Sequence, residues 1–344
     1  MSLASIAPQP LVRAAYRTQH DGMLLSLRTA HQLVRFLTNE RIERDPELEA
    51  ETLRRYRKLL RDDLANVEAG YYPRSLLFGF PYREYLKNAP KLLADIPRTV
   101  LRKKRQNHED LPNDVDLTRY PAYYRRNFHW QTGGYFTLDS AIRYDIGVEL
   151  LFLGTADVMR RMAIPPVSRL VAERGDDLRV LDVACGTGGF LRLLGGALPR
   201  LDYTGLDLSE AYLAYARERC QDVPRLNLVQ GNAEEMPFRD RWFDVVTSVY
   251  LFHELPKDAR RNAMREMLRV LKPGGLLVIE DSAQLSDSGE LARVLANFAN
   301  DFHEPYYKGY IRDDLADALE EVGFDVEESE AHMVAKVVVA RKPA

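Results

Sequence analysis

Apolar and polar positions along the chain change rhythm once, between a helical front part and an alternating back part. In the front, Asp45 can cap a helix that has Pro46 at its first position and Glu47 in its first turn. Leu53, Tyr56, Leu60, Leu64 and Val67 then recur at helical spacing, and Gly70 with Pro73 closes the segment. An earlier stretch, residues 23–42, carries Leu27, Ala30, Val34 and Leu37 at similar spacing, so the two helices are expected to pair as an antiparallel hairpin. The first 130 residues read as mostly helical, but from residue 71 to 135 the pattern degrades into pieces punctuated by prolines and aromatics. The tyrosines of this stretch, among them Tyr82, Tyr85, Tyr120, Tyr123 and Tyr124, suit either an irregular core or the wall of an apolar cavity.

After about residue 140, short apolar runs alternate with helical patterns, which is how a parallel sheet wound with helices reads. The predicted strands are 179–183, 203–206, 226–230, 243–249, 275–280, 324–328 and 336–341. The expected architecture is therefore α/β, a seven-stranded Rossmann-like sheet preceded by a mainly helical cap. The expected division is residues 1–134 for the cap and substrate region and residues 135–344 for the cofactor-binding domain.

Charge sharpens that division. Residues 1–134 hold 23 Lys and Arg against 16 Asp and Glu, a net of +7, which leaves 25 against 35, a net of −10, for the remainder. Such a split fits an anionic partner for the basic half, and equally fits complementary faces packed within one molecule. With 46% hydrophobic and 29% charged residues the chain can bury a sizeable core. Its longest apolar stretch, residues 146–162, is interrupted by Glu149, Asp157, Arg160 and Arg161, so no transmembrane segment is expected and only contact with a membrane surface stays open. The N-terminus shows no basic segment followed by an apolar core, and the two cysteines, Cys185 and Cys220, suit a reducing compartment; both point to a cytoplasmic protein.

The chemistry is announced by Val180-Leu181-Asp182-Val183-Ala184-Cys185-Gly186-Thr187-Gly188-Gly189, an apolar strand running into a glycine loop that opens a helix. Small residues there let backbone N–H groups approach a ligand. The loop alone also satisfies a relaxed dinucleotide fingerprint, and Asp207, at the end of the second strand, suits the ribose of any adenosine cofactor.

Three further features decide between the cofactors. Asp182 stands just before the loop, Gly231-Asn232-Ala233-Glu234-Glu235-Met236-Pro237-Phe238 follows the third strand, and Phe243-Asp244-Val245-Val246 leads to Leu268-Arg269-Val270-Leu271-Lys272-Pro273-Gly274-Gly275. With these the sequence resembles the class I S-adenosylmethionine-dependent methyltransferases, particularly the branch with the ubiquinone and menaquinone biosynthesis enzymes. The resemblance is strong over about residues 178–282, weaker beyond, and absent before about residue 135. It implies a seven-stranded class I methyltransferase sheet and S-adenosylmethionine as cofactor, with S-adenosylhomocysteine as product. It also implies a cofactor site built from Asp182, Ala184, Gly186, Gly188, Asp207, Leu208, Asn232, Ala233, Glu234 and Ser248, with Tyr144 as an aromatic lid. Ala184 departs from the pattern, since many members carry glycine there. The acidic Asp182 suits a methionine ammonium and would repel a pyrophosphate.

Residues just after the fourth strand should face the transferred methyl group, and here they read Tyr250-Leu251-Phe252-His253-Glu254. His253 is the expected catalytic residue and Tyr250 a second candidate. As a proton acceptor the imidazole must be neutral, which sets an ionisation near its ordinary value of roughly 6.5. The segment Phe302-His303-Glu304-Pro305-Tyr306-Tyr307-Lys308-Gly309-Tyr310 is expected near the acceptor. Histidines and carboxylates do not gather at ligand spacing along the chain, so no metal is expected. The leading expectation is methyl transfer to a small, apolar or aromatic acceptor, with no nucleic acid. The alternatives are a nucleic-acid or protein methyltransferase, against which the missing Asn-Pro-Pro-Tyr type tetrapeptide counts, and a cofactor-binding cyclase or sensor that transfers no methyl.

Overall fold

The computed structural model describes residues 8–38 and 45–344. Helix α1 (Gln9–Thr38) and helix α2 (Pro46–Glu68) run antiparallel as expected. The Asp45 carboxylate accepts the Leu48 N–H at 3.1 Å and caps α2. Across the pair, Arg13 meets Glu68 at 2.6 Å, Tyr16 donates to Asp63, and the Tyr56 hydroxyl donates to the His20 carbonyl at 3.1 Å. Tyr56, Leu60, Leu64 and Val67 are buried on the face the periodicity assigned to them. The side chains of Ala30, Val34 and Leu37 lie outside the described residues.

Helix α3 (Tyr82–Arg105) fits the mostly helical reading of the front part, but it is one continuous helix where punctuated pieces were expected. Pro90 and Pro97 sit inside it, where each removes one backbone donor. The carbonyls thereby left without a helical partner belong to Leu86 and Leu93, both on the exposed side, where water can satisfy them. Prolines tolerated on a solvent-facing side do not break a helix whose other side is held. That side carries Glu84, Asp95 and Arg102 towards helix α4 (Leu138–Leu151) and the segment before it: Arg102 donates to the Trp130 carbonyl at 2.6 Å and Thr132 to Asp95 at 2.6 Å. Residues 106–137 stay irregular, with short turns at Leu117–Arg119, Ala122–Tyr124 and Phe128–Trp130.

Helices α5 (Ala156–Arg161) and α6 (Ile164–Arg174) lead into the sheet. Its strands are β1 (Arg179–Val183), β2 (Asp202–Asp207), β3 (Leu226–Gln230), β4 (Phe243–Val249), β5 (Leu271–Ser282), β6 (Asp325–His332) and β7 (Ala335–Arg341). They lie in the order β3-β2-β1-β4-β5-β7-β6. Pairing is parallel from β3 through to β5, while β7 is antiparallel to both β5 and β6. All seven predicted strands are present; β5 is longer than expected, because the Pro273-Gly274-Gly275 turn is absorbed into it with a register shift against β4.

Strands buried on both faces alternate which core they feed. Val180, Val245, Leu276 and Val339 join one core with Tyr16, Tyr56 and Leu60 of the first two helices. Leu181, Val246, Leu277 and Val338 join the other. That second core is completed by helix α9 (Lys257–Val270) and helix α13 (Leu315–Val322). Between these stand α7 (Gly189–Ala197) and α8 (Glu210–Arg219), then α10 (Leu285–Ser288), α11 (Ala292–Asp301) and α12 (Tyr307–Tyr310). The front helices therefore bury their apolar stripe directly against the sheet's own layer.

Candidate cofactor and acceptor site

Strand β1 ends in a loop whose backbone turns left-handed three times, at Ala184 (φ 57°), Gly186 (φ 55°) and Gly188 (φ 77°). Gly188 is required for space, since a Cβ there would collide with the Cys220 sulfur. A Cβ on Gly186 would meet nothing within 4 Å, because that residue faces open space. Ala184 holds a conformation that costs an L-residue roughly 1–2 kcal/mol, the strain incurred where the resembled family often has glycine.

Asp207 shapes this loop as well as the space beside it. Its carboxylate accepts the Gly186 N–H at 2.8 Å and the Ser209 N–H at 2.7 Å. Burial nevertheless raises its pKa, to about 6. A cleft opens above it. Ala184, Gly186, Asp207 and Leu208 form one side, and Gly231, Asn232 and Ala233 after β3 another. Val249, Tyr250, Leu251 and Glu254 close it from the end of β4. The front of the chain adds Tyr123, Tyr124, Tyr135 and Tyr144, and α8 adds Tyr212.

Tyr144 stands in this wall, edge-on to Tyr135 and Tyr212 with ring centres 6.2 and 5.7 Å apart. The tyrosines of the irregular segment thus do both jobs left open for them: Tyr135 packs in a core with Phe128 and Tyr212 and also faces the cleft. Nothing in the pattern of residues 120–135 distinguished the wall-forming tyrosines from the rest.

Four of the expected cofactor residues stand behind the wall. Asp182 is buried beneath it, accepting the Thr247 hydroxyl at 2.7 Å, and burial pushes its pKa up to about 7. Ser248 donates to the Val183 carbonyl at 3.0 Å and so ties β4 to β1. Glu234 accepts the Tyr123 hydroxyl at 2.7 Å and the Asn262 amide at 3.0 Å, fastening the aromatic wall to α9. Gly188 starts α7.

Beyond Tyr250, the turn Phe252–Glu254 places His253 against Asp281, which comes from the end of β5. The His253 Nδ1 and an Asp281 oxygen are 2.7 Å apart, and both residues are buried. Burial by itself would lower the imidazole pKa, but Asp281, aided by Glu304 and Glu254, outweighs it and raises the value to about 9. The shift from the ordinary value of roughly 6.5, whose size the sequence left open, is thus upward, and at neutral pH His253 is mostly charged.

Histidines and carboxylates that do not gather along the chain are brought together by folding. His129, Glu254 and Glu304, far apart in sequence, bring one ligand atom each within 4.8 Å of one another. His129 lies 3.1 Å from Glu304 and 3.4 Å from Glu254, which also accepts the Tyr135 hydroxyl. Burial disfavours a charged His129, yet the two carboxylates prevail and raise its pKa. The imidazolium thereby offsets part of the negative charge of Glu254 and the buried Glu304. His129 is held at φ 54°, a strained backbone of the kind found where a side chain is aimed for function.

The doubly wound sheet with an antiparallel seventh strand, and the cleft at the carboxyl ends of β1 to β4, agree with the architecture that the resemblance to class I S-adenosylmethionine-dependent methyltransferases implied. Residues 180–275 match the family described as methyltransferase domain. The chain is 41% identical over 121 residues to phthiotriol/phenolphthiotriol dimycocerosates methyltransferase 1 of Mycobacterium ulcerans, which covers 35% of this chain and 42% of that one. It is 39% identical over 107 residues to the demethylmenaquinone methyltransferase of Staphylococcus aureus, covering 31% of this chain and 44% of that one. The matches thus span under half the length of these curated relatives. Among solved structures, a SAM dependent methyltransferase from Aquifex aeolicus aligns with a TM-score of 0.38 and 22% identity over 53% of this chain and 92% of that one. The CurJ carbon methyltransferase aligns with 0.43 and 19% over 60% and 64%. These two likenesses are slight.

Proposed function

We propose that the chain is a cytoplasmic methyltransferase that moves the methyl group of S-adenosylmethionine to a small, apolar or aromatic acceptor, with residues 1–134 forming a cap over the cofactor domain of residues 135–344. The observation that carries the reading is the cleft in which the glycine loop and Asp207 meet a wall of tyrosines, with the buried His253–Asp281 pair behind the lining residues Tyr250 and Glu254. The named substrates of the two curated relatives, a long-chain lipid and a quinone, are apolar molecules of the kind such a wall would hold.

Bound in the cleft, the cofactor supplies an electrophilic methyl group on a positively charged sulfur. Asp207 would hold the ribose, Asn232, Ala233 and Leu208 would surround the adenine, and Tyr144 would cover it. Asp182, behind the loop, adds negative charge under the methionine end, and Gly186 leaves the backbone open there. Tyr250 and Glu254 line the acceptor side, and the tyrosines keep water out. Where the acceptor atom carries a proton that must leave as the methyl group arrives, His253 in its neutral form would receive it. Asp281 holds the ring by Nδ1 and so leaves Nε2 for that task.

Incubating the purified protein with the cofactor and cell extract should produce S-adenosylhomocysteine together with an extractable metabolite heavier by one methyl group. Cofactor that binds but is never consumed would remove the transferase reading. Asp207→Ala should weaken cofactor binding at least about tenfold, because a charged acceptor worth about 1.5–3 kcal/mol per hydrogen bond is lost and Gly186 is released. Unchanged affinity by calorimetry, in a variant with wild-type melting, would reject this placement of the ribose.

A further inference from the structure

The outward side of α3 is built unlike the rest of the surface. Tyr82, Leu86, Pro90, Leu93, Pro97 and Leu101 follow one another at steps of three or four residues and all are exposed, Leu86 by 75% and Leu93 by 58%. At about 100° per residue they form one apolar stripe along the helix. Beside the stripe runs a second exposed row, Arg83, Lys87, Lys91, Arg98 and Arg105. Lys91 reaches Asp139 at 2.8 Å, whereas the other four make no ion pair among the described residues. The two acidic residues of α3, Glu84 and Asp95, both face inward, to Tyr215 and Thr132. The outward side is therefore apolar and cationic with no anion of its own.

We infer that this side of α3 docks the protein on a membrane surface containing anionic lipid, the stripe entering the headgroup boundary and the basic row pairing with lipid phosphates. An apolar face edged by Lys and Arg is what an interfacial helix needs, since apolar burial and attraction to anionic headgroups then act together. The charge pattern disfavours a second copy as occupant, because a symmetric contact would set the same basic rows against each other with no acidic partner between them. No helix among the described residues is long and apolar enough to cross a membrane, so the contact is peripheral. The inference rests on surface residues alone and does not depend on the acceptor.

The full chain should cosediment with vesicles of phosphatidylcholine containing about one-third phosphatidylglycerol, more weakly with phosphatidylcholine alone, and less as salt rises. Leu86→Ser with Leu93→Ser should reduce partitioning at least about tenfold. Lys87→Glu with Arg98→Glu should abolish the preference for anionic vesicles. Each variant should keep wild-type melting, as all four side chains are exposed. No binding to anionic vesicles at low salt, or equal binding by the leucine variant, would overturn the inference. So would a wild-type dimer in sedimentation velocity that the leucine variant dissolves, which would assign the face to a second copy.

Discussion

His253→Ala is expected to lower turnover by roughly 10² or more while leaving cofactor affinity nearly intact, because proton transfer belongs to the transition state and not to the bound ground state. The pH profile makes the test sharper. His253 must be neutral to accept a proton, and its pKa stands at about 9, so turnover should climb about tenfold per pH unit through neutrality and level off only near that value. Asp281→Asn removes the main group that raises this pKa and leaves burial, which lowers it, against the weaker pull of Glu304 and Glu254. The climbing limb should therefore move towards acid. Tyr250, Tyr307 and Tyr310 also surround the ring, but as neutral phenols they add no charge in this range. A limb that stays in place in Asp281→Asn, or a loss of affinity equal to the loss of turnover in His253→Ala, would reduce His253 to a packing residue. The same pairing bears on stability: a pKa raised above the unfolded value means a contribution fully present below about pH 6.5 and lost as pH rises through about 9.

Asp63→Ala should destabilise the whole protein by about 3–5 kcal/mol. Asp63, on α2, is fully buried and accepts both arms of Arg161 on α5, at 2.8 and 2.6 Å, together with the hydroxyls of Tyr72, at 2.6 Å, and Tyr16. Removing it leaves a buried guanidinium with no counter-charge and two phenols without their acceptor. Because α5 shares one core with the front helices and the sheet, the loss should appear as one cooperative lowering of the denaturation midpoint and not as a separate early transition of the front helices. Asp63→Leu combined with Arg161→Met should recover much of the loss, since neither charge then remains unpaired. A single variant within about 1 kcal/mol of wild type would mean that water reaches the pair.

Local regularity was what the sequence could express. The capping of α2 by Asp45, its buried face, the seven strands and the glycine loop all depend on neighbours a few residues apart, and hydrophobic periodicity or steric need at one backbone position reports them directly. The same reasoning failed at α3, where Pro90 and Pro97 were read as punctuation. Whether a proline breaks a helix depends on which side of it faces water, and that is settled only when the other side finds its partner.

What the sequence by itself determined, then, is the order of elements, the class of sheet and the loop around Gly186, because strand pairing of this kind leaves its signature in alternating runs and in glycines where no Cβ fits. The tertiary structure alone decided the chemistry around that loop. It set Asp281 against His253 and Glu304 against His129, and it chose Tyr123, Tyr124 and Tyr135 for the wall. Those partners lie tens to well over a hundred residues apart, and the proton affinity of each group follows from burial and from charges brought close by folding, neither of which is a property of the residue or its neighbours in the chain.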